Sequence, residues 1–459
     1  MKNNNIIRSI ASLAILFSFF SCDNLLETDL PVSIIPQEDI FKDAKNIKMA
    51  VNGLYTQNLL SNRLFYYGIP YYLTQITDDA VFAATDYDDL RNNTYTSANT
   101  YLAYYWADAY NAILLSNDLI TNLEPSTIIS EADKQHYIGE AKYFRAYSYF
   151  VLTYLYGAVP YITTSNFWET SLQGRDSREV VVGHIIQDLK DVEIALVNSS
   201  NENIKVTKLA ASALLARTYL YQGEWKNAED KADYIIRDST YKLDKNIDDV
   251  FLRSSKESIF KTSSSGSWSS YIDRVYYGQQ AVNNNFLRLT DDFVNSFEDG
   301  DLRKTKWTTT VSGFQHPYKY HRTAASSPGP AEDFVSLRLT EQYFIRAEAA
   351  AQQGQQDKLE AAIDDVNVIR ERAGLAPLPK TLTKQQVLLS IEQERRHEFF
   401  AEEGHRWWDL VRTGRADAVL GAFPGKQWES YKALLPVPQA ELNKNKHLEP
   451  QNSGYNKVN

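Results

Sequence analysis

The 459-residue chain carries 48 Lys and Arg against 58 Asp and Glu, a formal charge of −10 at pH 7. An acidic chain repels phosphate backbones, which argues against nucleic acid as a partner. With 1 Cys no internal disulfide can form, so stability must come from a hydrophobic core, which this length allows. The aromatic content is the outlier: 30 Tyr, 20 Phe and 8 Trp against 2 Met. Tyrosine joins an apolar ring to a hydrogen-bonding tip, which suits a surface that is wet and grips something.

The chain opens on an uncharged run from Ile10 to Phe20. At about 1.5 Å rise per residue it covers about half of a ~30 Å hydrocarbon core, too little for a span. The basic start at Lys2 and Arg8, the apolar centre and small Ser21 form a secretory leader over residues 1–21. Its removal takes away two positive charges and leaves −12. Cys22 follows directly, where a thiol has no core to sit in. The pattern predicts that Cys22 becomes the first mature residue and carries lipid. At ~0.8 kcal/mol per buried CH₂, two or more acyl chains would hold the chain on a membrane almost permanently. Residues 22–45 then read as an extended tether, with Pro31 and Pro36 blocking early helix.

Helical periodicity begins near Ala44, and residues 46–239 read as a helical region. Its most regular stretch is 206–238. Leu209, Ala213, Ala216 and Leu220 share one helix face, Gly223 breaks the chain, and Ala228, Ala232, Ile235 and Ile236 line a second helix. Small residues at a helix crossing with a Gly turn between them are the signature of tetratricopeptide-type pairs. Weaker echoes at 136–157, 337–374 and 382–404 are irregularly spaced, which predicts a mainly α scaffold of helix pairs with insertions. One insertion, 61–106, holds Tyr66, Tyr67, Tyr71, Tyr72, Asp78, Asp79, Tyr87 and Tyr101; the other, 240–335, holds Trp268, Tyr271, Tyr276, Tyr277, Trp307, Tyr318 and Tyr320. Long loops this aromatic are expected to be functional, and 240–335 is expected to form the ligand-binding insertion. Residues 336–459 close the chain as a C-terminal helical region.

Several segments resemble one family when taken together and in order: the leader ending at Cys22, IFKDAKNIKMAVNGLY (40–55), GEAKYFRAYSYFVLTYLYGAVPYI (139–162), the helix pair at 206–238, ERRHEFFAEEGHRWWDLVRTGR (394–415) and LLPVPQAELNKNKHLEPQNSGY (434–455). The chain is similar nearly end to end to the SusD/RagB family of outer-membrane nutrient-binding lipoproteins of Bacteroidetes. The resemblance implies tetratricopeptide-like helix pairs cradling a loop-rich face. It also implies a partner, a SusC-like TonB-dependent transporter barrel on which the protein sits as a lid. Members capture glycans or, in the RagB branch, peptides, and they are binders, not enzymes. Surface exposure rests on this resemblance, because Asp23 after the lipidated position is read by some bacteria as inner-membrane retention.

The motif with the most chemistry is ERRHEFFAEEGHRWWDLVRTGR. A zinc protease of the H-E-x-x-H type needs a second His four residues after the first, but Ala401 occupies that position after His397 and Glu398. A fold-holding role explains more: Glu392, Glu394, Arg395, Arg396, Glu398 and Glu402 are spaced to pair along a helix that Gly404 is expected to end, with Trp407 and Trp408 in the core. The acid pairs Asp78 with Asp79, Asp88 with Asp89 and Asp291 with Asp292 read as solvated turns, since adjacent residues do not give a glycosidase its facing carboxylates. DYDD (86–89) lacks the glycine and later ligands of a calcium loop. No metal or cofactor is expected.

A sugar ring offers a C–H face and a hydroxyl rim, so an exposed ring beside Asp, Asn or Arg suits it. On loop position and chemistry the candidate ligand-binding residues are Tyr71, Asp78, Trp268, Tyr271, Tyr277, Trp307 and Arg322. The leading expectation is oligosaccharide capture for a transporter. The alternatives are a peptide-binding lid and a surface glycoside hydrolase.

Overall fold

The computed structural model describes residues 37–61, 63–64, 69–82, 84–197, 203–263, 287–320 and 331–455. Several of its longer helices start where the sequence supplies a cap. The Asp43 carboxylate accepts from the Lys45 amide at 2.8 Å and opens α1 (Ala44–Thr56). Asn99 opens α2 (Thr100–Leu123), Ser130 opens α3 (Glu131–Tyr156) and Ser177 opens α4 (Arg178–Ala195), each accepting from an amide of the first turn. Thr207 caps α5 (Lys208–Gln222), and Gly223 at φ 73 turns the chain into α6 (Trp225–Arg237). The left-handed backbone there is one a side chain would strain. Leu209, Ala213, Ala216 and Leu220 are buried, as are Ala228, Ala232 and Ile235, so the expected helix pair is present in register.

After the second insertion come α7 (Leu339–Gln353), α8 (Gln356–Arg372), α9 (Lys384–Phe399) and α10 (His405–Arg412). Each helix from α2 to α8 packs on the next, and α9 closes on α7 and α8. This is the mainly α, tetratricopeptide-like scaffold that the periodicity predicts. One core runs through most of the molecule, and a second joins Phe344, Ile363, Val366, Val387, Ile391 and Phe399 between α7, α8 and α9. Trp407 and Trp408 are buried, as expected.

Strands are few and short: β1 (Ala80–Phe82), β2 (Ser258–Thr262), β3 (Leu287–Leu289), β4 (Thr308–Val311), β5 (Phe314–Pro317) and β6 (Phe334–Arg338). They pair antiparallel as β1 with β3, β2 with β6 and β4 with β5. The first of these pairings carries the functional argument, because it clamps the two aromatic insertions together.

Two expectations about 392–404 need correction. The helix ends at Phe399, and Gly404 instead leads into α10 at φ 68, where a Cβ would stand 2.6 Å from a Leu73 methyl. Most charges of this segment pair away from their own helix. Glu394 meets Arg303 and Arg370, Arg395 meets Asp409, and Glu398 meets Arg338 and Arg372. Glu402 binds Lys319 and Arg338. Pairing along a helix belongs to a solvated face, whereas the end of α9 is buried, and a buried charge needs a partner from whichever element covers it.

Candidate ligand-binding face

The register of β1 on β3 sets Ala80 opposite Leu289, Val81 opposite Arg288 and Phe82 opposite Leu287. Thr290 fastens the end of the ladder, its amide donating to the Asp79 carbonyl at 2.9 Å and its hydroxyl to the Asp78 carbonyl at 2.7 Å. On the other side His316 of β5 donates from Nδ1 to the Leu287 carbonyl at 2.8 Å, and burial lowers its pKa, which keeps the ring neutral. Residues about 200 positions apart in sequence therefore build one face.

Three of the proposed ligand contacts are buried. Tyr71 is 0% exposed: its ring packs on Tyr72, Phe82 and Tyr87 with centroids 4.9, 4.4 and 5.9 Å away, and its hydroxyl meets that of Tyr87 at 3.0 Å. Trp307 is 2% exposed, packed on Phe251, with its indole N–H donating to the Ile247 carbonyl at 3.3 Å. A ring with no open face cannot cover a sugar, so both are corrected to packing residues. Asp78, 2% exposed, takes two hydrogen bonds of 2.8 Å from Arg406 and an ion pair of 2.9 Å from Arg396. Burial opposes its ionisation, but the Arg406 hydrogen bonds and the two guanidinium charges outweigh that and hold its pKa below the usual carboxylate range. Asp79 binds Arg396 at 2.7 Å, and burial pushes its carboxyl up. The pair is thus no solvated turn. It bolts β1 to α9 and α10. Cys22, Trp268, Tyr271, Tyr277 and Arg322 lie outside the described residues.

Half-open rings lie elsewhere, in two separate clusters. Tyr101 and Tyr104 are half-buried on the first turns of α2. Tyr101 stacks on Tyr72 at 5.0 Å with 27° between planes and also meets Tyr87 at 5.1 Å. The Arg63 guanidinium lies 3.5 Å from the Tyr104 ring centre, held by Asp108 through contacts of 2.7 and 2.8 Å. At β3, Arg288 lies 3.8 Å over the ring of Phe314, which is 46% exposed. Each guanidinium beside a ring places donors for hydroxyl oxygens next to an apolar plane. Sequence reasoning passed over Arg63, Tyr104, Arg288 and Phe314, and it left Tyr101 unselected. A signal existed: Tyr101, Tyr104 and Asp108 form one helical stripe, while Leu102, Tyr105 and Ala109, centred about 100° round the helix, are buried.

Among the described residues no group of three or more His, Cys, Asp or Glu could hold a metal ion, and no helix is long and apolar enough to cross a membrane.

Residues 311–455 match the SusD family model, and residues 36–220 match one described as "Starch-binding associating with outer membrane". The chain belongs to the SusD/RagB family. SusD-like protein P2 of Formosa agariphila is 26% identical over 510 residues, covering 97% of this chain and 99% of that one. SusD-like protein P25 of the same organism is 24% identical over 544 residues, covering 99% and 100%. Among solved structures, a laminarin-binding SusD-like protein aligns with a TM-score of 0.75 at 23% identity, over 90% of this chain and 100% of that one. Surface glycan-binding protein A of Bacteroides thetaiotaomicron, in complex with laminarihexaose, aligns with a TM-score of 0.72 at 21% identity, over 89% and 99%. These neighbours share the fold.

Proposed function

We propose that this chain is a lipid-anchored glycan-binding protein of the outer membrane, exposed at the cell surface, that captures oligosaccharide and passes it to a SusC-like TonB-dependent transporter. The observation that carries the reading is the half-buried Tyr101 and Tyr104 pair, backed by Tyr72 and flanked by Arg63, in the first aromatic insertion. The rings would cover the C–H face of a sugar while guanidinium donors reach its rim. Support comes from structural neighbours described as laminarin-binding in one case and glycan-binding, in complex with laminarihexaose, in another, and from the family description of association with the outer membrane. Cys22 would carry the lipid, and Trp268, Tyr271, Tyr277 and Arg322 would complete the contacts. Asp78 and Asp79, already clamped by arginines, are poor candidates for a hydrolytic acid and base, which favours a protein that holds its cargo. Stacking with a few hydrogen bonds gives modest affinity, which suits release to a transporter.

Calorimetry with a glycan panel and a matched peptide library tests this. Binding of a neutral oligosaccharide, about tenfold weaker in Tyr101→Ala and without new reducing ends, is the expected outcome. A response to peptides alone would defeat the sugar reading, and new reducing ends would favour a hydrolase.

A further inference from the structure

A concave site lies where the end of α6 runs into the second insertion, and it shares no lining residue with the tyrosine pair. Its volume is about 780 Å³, and Lys242, Arg253, Lys256 and Lys261 line it against a single carboxylate, Asp333. That balance runs opposite to the chain's overall charge of −10. Asp333 pairs with two of these cations, half-exposed Arg253 at 2.9 Å and inner Lys261 at 3.3 Å. Lys261, nearly buried, also donates to the Arg253 carbonyl at 2.6 Å, which fixes the wall. The outer cations stand together because the Lys242 amide donates to the Lys256 carbonyl at 3.0 Å. Both side chains are exposed, and neither forms an ion pair among the described residues. Ser, Thr and Asn side chains supply most of the remaining lining. The one ring there, Tyr241, is buried and offers no face for stacking.

A cleft lined by one sign of charge concentrates the field and draws in counter-ions, and charge-assisted hydrogen bonds to anionic oxygens are among the stronger ones available. We infer that this cavity binds the acidic group of an anionic saccharide, a uronate carboxylate or a sulfate ester. The inference rests on the glycan-binding reading and narrows it: the tyrosine face grips ring planes, and the cationic cavity selects for charge.

The test is calorimetry on the full chain in detergent with tetragalacturonate, a sulfated galactan tetrasaccharide and neutral laminaritetraose. The double variant Lys242→Glu with Lys256→Glu alters exposed positions, and a thermal melt checks its fold. At least one anionic probe should bind, about tenfold or more weaker in the double variant, and several-fold weaker between about 50 and 300 mM salt. Laminaritetraose, if it binds, should be indifferent to both changes. Which anionic probe responds distinguishes carboxylate from sulfate. Equal anionic affinity in the double variant, or no anionic binding beside a Tyr101-dependent neutral response, overturns this inference alone. Silence from all three probes overturns it together with the glycan reading.

Discussion

Two regions meet at Asp78 and Asp79, and they use opposite chemistry. Below them, the end of α9 buries a dense set of ion pairs in which Arg338 alone contacts Glu257, Glu398 and Glu402 at 3.1, 2.7 and 3.0 Å. Above them, the face around Tyr101 and Tyr104 leaves neutral rings half open to solvent. Charge here holds the frame, and rings are left for contact. The contrast follows from desolvation: a buried charge is tolerated only while its partners stay fixed, whereas an aromatic surface can be wetted and covered repeatedly at little cost.

The hardest way to break that division is Arg338→Met. It takes one cation from each of three buried carboxylates, leaving Glu257 and Glu398 to Arg372 and Glu402 to Lys319, so unfolding in urea should show a loss of about 3–5 kcal/mol, while the affinity of the folded fraction for glycan stays unchanged. A change in affinity without loss of stability would mean that the ion-pair region takes part in binding.

A smaller effect comes from pH. Burial pushes the Glu403 carboxyl up to about 7, although Tyr147 donates to it at 2.7 Å and Arg217 lies near. A carboxyl whose folded pKa exceeds its unfolded value favours the fold below the unfolded value, about 4.5, and loses that contribution as pH rises through about 7. Glu403→Gln keeps the hydrogen bond to Tyr147 and removes the titration. The stability of the variant relative to the parent should therefore rise by about 2–3 kcal/mol from pH 4 to pH 8. Equal pH profiles for the two proteins would show that Glu403 stays ionised, and that the frame tolerates an acid without a cation on it.

How legible this was depends on the range of the interactions. The pair α5 and α6 was readable because helical phase and a left-handed glycine are local properties, written within one turn of the residues they govern. The partners of Arg396 were not: Asp79 lies 317 positions away, and nothing near either residue says which acid will cover which base. The same gap misplaced Tyr71 and Trp307. Composition makes Tyr71 and Tyr101 equal candidates, and only the packing of the Tyr71 ring on Phe82 and Tyr87 buries one while the other stays half-open on α2. Helical phase across 101–108 was the local clue, and the density of tyrosine in that segment obscured it.

Arg63 gives the smallest effect and the finest test of the division, because it carries charge yet sits on the ring side. Its side chain is 26% exposed, paired with Asp108 and laid over Tyr104. Partly exposed pairs contribute little, so Arg63→Gln should cost less than about 1 kcal/mol in a thermal or urea melt. Losing the cation over Tyr104 and the donors at its edge should nonetheless weaken oligosaccharide binding by about two- to fivefold. Affinity would then fall more than stability, the reverse of Arg338→Met. If Arg63→Gln instead unfolds the protein as readily as the Arg338 variant, the charged frame extends to the rim of the face, and Tyr104 is held there for packing rather than for cargo.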